Sequence, residues 1–263
     1  MTGNEMIEIL TKRQYLVVKC NDLIQKNRFE LSLSEQKTVA FICSMIQPIT
    51  PKDSIKGVPY QLEYEFNIRE YCKICGIDYD NGKNYLDIKI VLKNLRDHSM
   101  WLSLEDGSET LIAWIDRVII NKKSGLIKIR IDERLAPYLF DLGQRFTQYQ
   151  LYNILAMKSQ YSIRLYELFK SYAYHGTKVF DIDELKHLLM VDNVKSYERY
   201  PDFRRKVLEI SQNEINRLTD LNIFYKPITK GRKVVKIKFI IQHKDIVERL
   251  AAEQTTNNEL DQE

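Results

Sequence analysis

Hydrophobic positions recur along this chain with two different periods, and the switches between them mark its elements. Ser32-Leu33-Ser34-Glu35 offers an N-cap serine with a glutamate three residues on. Val39, Phe41, Ile42, Met45 and Ile46 then lie largely on one helical face until Gln47-Pro48 ends the run. Tyr60–Ile68 (YQLEYEFNI) alternates as a strand does. Residues 83–99 (KNYLDIKIVLKNLRDHS) return to the helical period, with Tyr85, Ile88, Val91, Leu92 and Leu95 on one side. Leu111–Ile120 and Leu126–Asp132 are β-branched runs joined by Asn121-Lys122-Lys123-Ser124-Gly125, which predicts a hairpin with a basic tip.

The order then starts again. Asn153–Ala173 predicts one long amphipathic helix, Lys178–Ile182 a short strand, and Glu184–Val191 and Asp202–Thr219 two further helices. Asn222–Ile228 and Lys233–Ile241 form a second hairpin around Thr229-Lys230-Gly231-Arg232, with Pro227 suited to an edge strand. Phe66-Asn67-Ile68-Arg69-Glu70 matches Phe180-Asp181-Ile182-Asp183-Glu184: a strand aromatic, an Asn/Asp cap, then a glutamate. Helix, short strand, helix, helix, hairpin is the order of a winged helix. The expected fold class is therefore α+β, with two tandem winged-helix domains related by an internal duplication.

The boundaries drawn are 1–145 for the first domain, 146–245 for the second, and 246–263 as an acidic, disordered tail. The joint at 140–152 has no Gly/Ser or Pro-rich linker, so the domains should be closely coupled. The Pro-bearing segment 47–59 reads as a loop with no assigned role.

Composition narrows the function. The 263 residues are 44% hydrophobic and 29% charged, enough to bury a core and to exclude a disordered or collagen-like chain. No run approaches the ~20 apolar residues of a membrane span. No secretory signal opens the sequence, so a cytoplasmic protein with reduced Cys20, Cys43, Cys72 and Cys75 is expected. The net charge of +4 hides an asymmetry. Pro201–Lys244 holds eleven Lys/Arg against four Asp/Glu, whereas Asp245–Glu263 holds six acids against one Arg. A basic block of that density suits phosphate.

Catalytic signals are sparse. Cys72-Lys73-Ile74-Cys75 lacks a matching second pair of metal ligands, and the four histidines are scattered. Phosphate loops, dinucleotide fingerprints and hydrolase motifs are missing too. The 16 tyrosines invite a tyrosine nucleophile, but no paired histidines stand ready to hold its metal. No enzyme activity, no cofactor and no metal are expected.

What remains is a DNA-binding surface. On the helix 202–219, Phe203, Val207, Ile210, Ile215 and Leu218 cluster on one side, with Leu208 at the margin. The other side carries Arg205, Glu209, Gln212, Asn213 and Asn216, side chains able to hydrogen-bond base edges, which are the candidate base readers. Lys206, Arg217, Lys230, Arg232 and Lys233 are the candidate phosphate contacts, joined by Lys236 and Lys238 along the hairpin, with Arg164 a lesser one. In the first domain, Lys89, Lys93 and Arg96 flank the helix 83–99, and Lys122 and Lys123 occupy the hairpin tip. These are weaker candidates, since Leu86 and Ile90 break the polar side.

Asn21–Ala40 (NDLIQKNRFELSLSEQKTVA), Lys158–Tyr172 (KSQYSIRLYELFKSY) and Phe203–Phe239 (FRRKVLEISQNEINRLTDLNIFYKPITKGRKVVKIKF) resemble the plasmid replication initiators of the Rep_3 (RepE-like) superfamily across residues 12–242. The resemblance implies two winged-helix domains side by side, whose monomers bind directly repeated iterons in double-stranded origin DNA and help open it. It implies self-association into dimers that repress the initiator's own gene, and partners in the host initiator and replicative helicase. It also implies a protein associated with plasmid and nucleoid, without nuclease activity. Two alternatives stay open: a transcriptional repressor without an initiation role, and a rolling-circle nicking initiator.

Overall fold

The short strands Glu63–Asn67 and Thr177–Asp181 each lead straight into a helix, and these two matching junctions organise the two halves of the molecule. The computed structural model describes residues 3–46, 60–78, 82–104, 107–140 and 145–262. The 47–59 loop lies outside the described residues. In chain order the elements are α1 (Gly3–Arg13), β1 (Leu16–Cys20), α2 (Asn21–Gln25), α3 (Leu33–Met45), β2 (Glu63–Asn67), α4 (Ile68–Cys75) and α5 (Gly82–Asp97). There follow β3 (Ser99–Ser103), β4 (Glu109–Ala113), β5 (Ile115–Asn121), β6 (Leu126–Ile131), α6 (Ala136–Phe140) and β7 (Phe146–Gln150). The remainder comprises α7 (Tyr152–Leu155), α8 (Gln160–Tyr172), β8 (Thr177–Asp181), α9 (Ile182–Leu188), α10 (Tyr200–Phe203), α11 (Glu209–Leu218), β9 (Leu221–Lys230), β10 (Lys233–His243) and α12 (Ile246–Leu260).

The duplication is visible in the sheets. One sheet has the order β2-β6-β5 and the other β8-β10-β9, all antiparallel: in both, the short strand pairs with the returning strand of the hairpin. Pro227 sits on the edge strand β9, where its missing N–H is harmless. The matched pentapeptides occupy both strand–helix junctions. Asn67 accepts from the Arg69 N–H at 2.9 Å, whereas Asp181 makes no capping bond and faces Lys236 at 3.3 Å instead. Two further pairs have no counterpart in the second sheet, β3 with β4 and β1 with β7. The latter joins Leu16–Cys20 to Phe146–Gln150, so strand pairing crosses the boundary drawn at residue 145.

Several elements differ from the sequence expectation. The Leu111–Ile120 run is two strands, broken where Trp114 turns into the core. The single helix expected over Asn153–Ala173 breaks at 156–159, because Glu214 on α11 accepts the Lys158 N–H (2.9 Å) and Ser159 N–H (3.3 Å), and Ser159 then caps α8. Neither α3 nor α8 is amphipathic. α3 buries Glu35, Gln36 and Thr38 as well as its apolar positions. α8 is buried from Ser162 to Phe169, since it packs against α2 and α3 on one flank and α11 and β8 on another.

Several buried polar groups of α8 are paired inside. Glu167 accepts from Lys19 Nζ at 2.6 Å and from the Tyr149 hydroxyl at 2.5 Å. Burial alone would raise the Glu167 carboxyl, yet the Lys19 ammonium holds it below the usual carboxylate range. Asp220 accepts from the Tyr166 hydroxyl at 2.8 Å and from Lys170.

The largest correction concerns residues 246–263, expected to be disordered. Asp245 and Glu248 form a reciprocal capping box, and α12 follows with Ala252, Thr256 and Leu260 buried. The polar composition concealed a narrow stripe of small and apolar residues at intervals of four. No helix among the described residues is long and apolar enough to cross a membrane.

Candidate nucleic-acid interface

The helix predicted over 202–219 runs from Tyr200 to Leu218 and contains one wide, π-type turn at Arg204–Leu208. That turn fits an extra residue into the helix, which rotates everything after it. The buried set is Phe203, Val207, Leu208, Ser211, Ile215 and Leu218, while Ile210, expected in the core, is 43% exposed. A regular 100° wheel could not anticipate the shift.

This rotation sorts the five base-reader candidates. Arg205 and Asn213 stand exposed, Arg205 alongside Asp202 at 2.9 Å. Glu209 is half-buried and holds Arg204 at 3.1 Å. Gln212 and Asn216 face the start of the wing: both donate to the Ile223 carbonyl, at 2.8 and 3.0 Å, and Asn216 Oδ1 accepts the Ile223 N–H at 2.6 Å. Their assignment as base readers is corrected, since these amides fix the angle between helix and wing.

Of the phosphate candidates, Arg164 falls as well, while Arg217 is exposed but ion-paired. Arg217 pairs with Glu259 of α12. Arg164 is 5% exposed, donates to the Asn27 carbonyl at 2.9 Å and stacks 4.6 Å from the Phe29 ring centroid. Burial pulls its guanidinium down to about 10, and Nε and Nη1 have no hydrogen-bond partner among the described residues. A side chain so enclosed cannot reach a phosphate.

The wing behaves as expected. Ile237, Phe239 and Ile241 point into the core, while Lys236 and Lys238 alternate outward. Lys230, Arg232 and Lys233 sit exposed at the tip, with Lys226 on β9 and Lys206 on the helix. Among the described residues none of these, nor Lys238, has an ion-pair partner. The four acids of the basic block are used elsewhere: Asp202 on Arg205, Glu209 on Arg204, Glu214 on the α8 start and Asp220 on Tyr166.

A groove of about 820 Å³ runs between α9, the turn before α10 and the wing tip, and Arg232 and Lys233 line it together with Lys186 and Arg199. Lys186 Nζ rests 5.6 Å from the Phe203 ring centroid, and Arg199 occupies the N-cap position of α10. Sequence reasoning missed Lys186, which lies on α9, because no local signal brings that helix to the wing tip, and missed Arg199 because it started the helix at Asp202. The signal was Pro201, which favours the first turn of a helix and so moves the start back to Arg199.

The first domain presents a different surface. On α5, Lys89, Lys93 and Arg96 are exposed beside Leu86 and Ile90, and Asp97 pairs with Lys93 at 2.6 Å and Arg96 at 3.7 Å. In the wing, Glu63 holds Arg117 at 2.7 Å, Glu65 holds Lys128, and Asp116 holds Arg130 at 3.6 Å. Lys122 and Lys123 remain exposed at the tip. All four cysteines are free and buried, and burial pushes the Cys72 and Cys75 thiols up to about 12, which keeps them protonated.

Comparison with known proteins places this arrangement. The profile described as "Initiator Replication protein, WH1" matches residues 16–170, and "Initiator Rep protein, WH2" matches 181–241. The chain belongs to the Rep_3 family of plasmid replication initiators. It is 21% identical over 215 residues to a "Replication initiation protein" of Escherichia coli (80% of this chain, 65% of that one) and 28% identical over 153 residues to the Escherichia coli "PI protein" (52% and 49%). The chain thus spans about two thirds and half of these relatives. A Pi initiator protein solved in complex with iteron DNA superposes with a TM-score of 0.70 at 20% identity, covering 89% of this chain and 99% of that one. The two-module plan of the family is the plan seen here, and the first span runs through α8, the helix both modules share. Neither span includes α1 or α12.

Proposed function

We propose that this chain is a sequence-specific, non-enzymatic initiator that binds directly repeated iterons at its plasmid's origin as a monomer and represses its own gene as a dimer. The observation that carries this reading is the cationic surface formed by the Arg199–Asn213 helix face and the Lys226–Lys238 wing, in which Lys206, Lys226, Lys230, Arg232, Lys233 and Lys238 have no ion-pair partner among the described residues. Such a surface is suited to a helix in the major groove with the wing on the adjoining backbone. In this reading Arg205 and Asn213 meet base edges. Lys206, Lys230, Arg232 and Lys233 meet phosphates, and the first domain adds weaker contacts through Lys89, Lys93, Arg96, Lys122 and Lys123. Origin duplex, a second copy, the host initiator and the replicative helicase are the partners, in the cytoplasm at the plasmid.

Binding titrations on DNA from the plasmid's own origin and on scrambled duplexes, each at several salt concentrations, test this. The origin fragment should bind roughly 10³-fold or more tightly than the scrambled duplex. Equal affinities would overturn the reading. Incubation with supercoiled plasmid and Mg²⁺ or Mn²⁺ should leave it closed; open circles carrying a protein adduct would make the chain a nicking enzyme instead.

A further inference from the structure

The two terminal helices that neither family span includes meet each other across the molecule. Arg13, at the end of α1, is only 1% exposed. Its Nε donates to the Ile74 carbonyl and its Nη2 to the Lys73 carbonyl, both at 3.0 Å, at the C-terminal end of α4. Its Nη1 donates to Asn257 Oδ1 at 3.0 Å and Asp261 Oδ1 at 3.1 Å, at the far end of α12. One guanidinium thus holds three helix ends, two from the first domain and one that follows the second. Gln14 bonds Glu253 beside it.

The packing is equally specific. Leu260, 4% exposed, lies against Gly76, whose φ of +68° is left-handed; a Cβ there would stand 2.8 Å from Leu260 Cδ2. The position therefore needs glycine both for its backbone and for the approach of α12. Along its length α12 is rooted in the second domain. Glu248 accepts from Asn222 at 3.2 Å, Thr256 donates to the Leu218 carbonyl at 3.2 Å, and Glu259 pairs with Arg217.

We propose that α1 and α12 form a clasp that fixes the placement of the two winged helices, so that their exposed helix and wing faces are presented as one preset unit. Two modules held in register lose less freedom when both engage one partner than two modules free to swing. This inference goes beyond the DNA reading, and its test uses the protein alone, so either can fail without the other.

Coupling through the clasp must be reciprocal. Native-state hydrogen exchange is compared for the full chain, for Arg13→Met, and for a chain ending at Asp245. Arg13→Met should speed exchange over residues 252–260 about tenfold or more, the truncation should do the same over residues 7–13 and 71–77, and β8 should change less than about twofold. Dyes on Lys122→Cys and Lys230→Cys report the distance between wing tips, the native cysteines being buried. The full chain should give one narrow distance distribution and both variants a broader or shifted one. Exchange changes confined to the altered helix, or an unchanged distribution, would overturn the clasp. Should the truncated chain not fold, Arg13→Met decides alone, since a merely local role at the α4 end would leave α12 protected.

Discussion

The two winged helices share a strand order and differ in how they spend their charge. In the first wing sheet each strand cation faces a carboxylate on another strand: Arg117 with Glu63, Lys128 with Glu65, Arg130 with Asp116. In the second, Lys226, Lys230, Arg232, Lys233 and Lys238 have no such partner among the described residues, and Lys236 alone faces an acid, Asp181. The helices differ less: α5 presents Leu86 and Ile90 among its cations, and the Tyr200–Leu218 helix presents Ile210 beside Arg204, Arg205, Lys206 and Asn213, with both arginines paired to acids. Fold decides where a wing lies; the acids beside it decide whether the wing has free charge to offer a phosphate.

That contrast can be broken in either direction. Replacing Lys230, Arg232 and Lys233 together with Ala should have the largest effect, lowering the log–log salt slope of DNA binding by about 2–3 for every sequence. Glu63→Gln, Glu65→Gln and Asp116→Asn together should release the first wing's cations and raise the slope by up to about 3, giving it the character of the second; an unchanged slope would show that this face does not meet DNA. Arg205→Ala should cost about 1–3 kcal/mol on the origin site and relax base preference, measured against scrambled duplex. Equal losses on both would make Arg205 a phosphate contact. Glu259→Gln frees Arg217 and should raise the slope by no more than about 1. Arg164→Met should leave the slope unchanged and the melting temperature unchanged or higher, because a buried guanidinium with two unbonded nitrogens costs as much as it contributes.

Much of this was legible in the sequence, and what was not has physical reasons. Period-2 alternation with Gly/Asn/Lys turns gave both hairpins, and the capping residues gave the starts of α3 and α4, because those signals depend on neighbours within four residues. Arg164 looked like a surface cation because nothing local shows that α8 is enclosed by both domains. Gln212 and Asn216 looked like base readers because the wide turn at Arg204–Leu208 breaks the regular wheel. The C-terminal helix looked like a tail because its stability comes from Arg13, Gly76 and Arg217, all more than forty positions away or on another element. The β1–β7 pair, joining positions 16–20 to 146–150, was beyond any local pattern.

The most direct test of the central claim is hydrogen exchange of the full chain with and without DNA from its own plasmid's origin. Protection should be strongest at residues 199–213 and 226–238, weaker at 89–96 and 122–123, and unchanged within 162–168. Tight binding with no added protection at 199–213 and 226–238 would contradict the account, whatever the first domain showed.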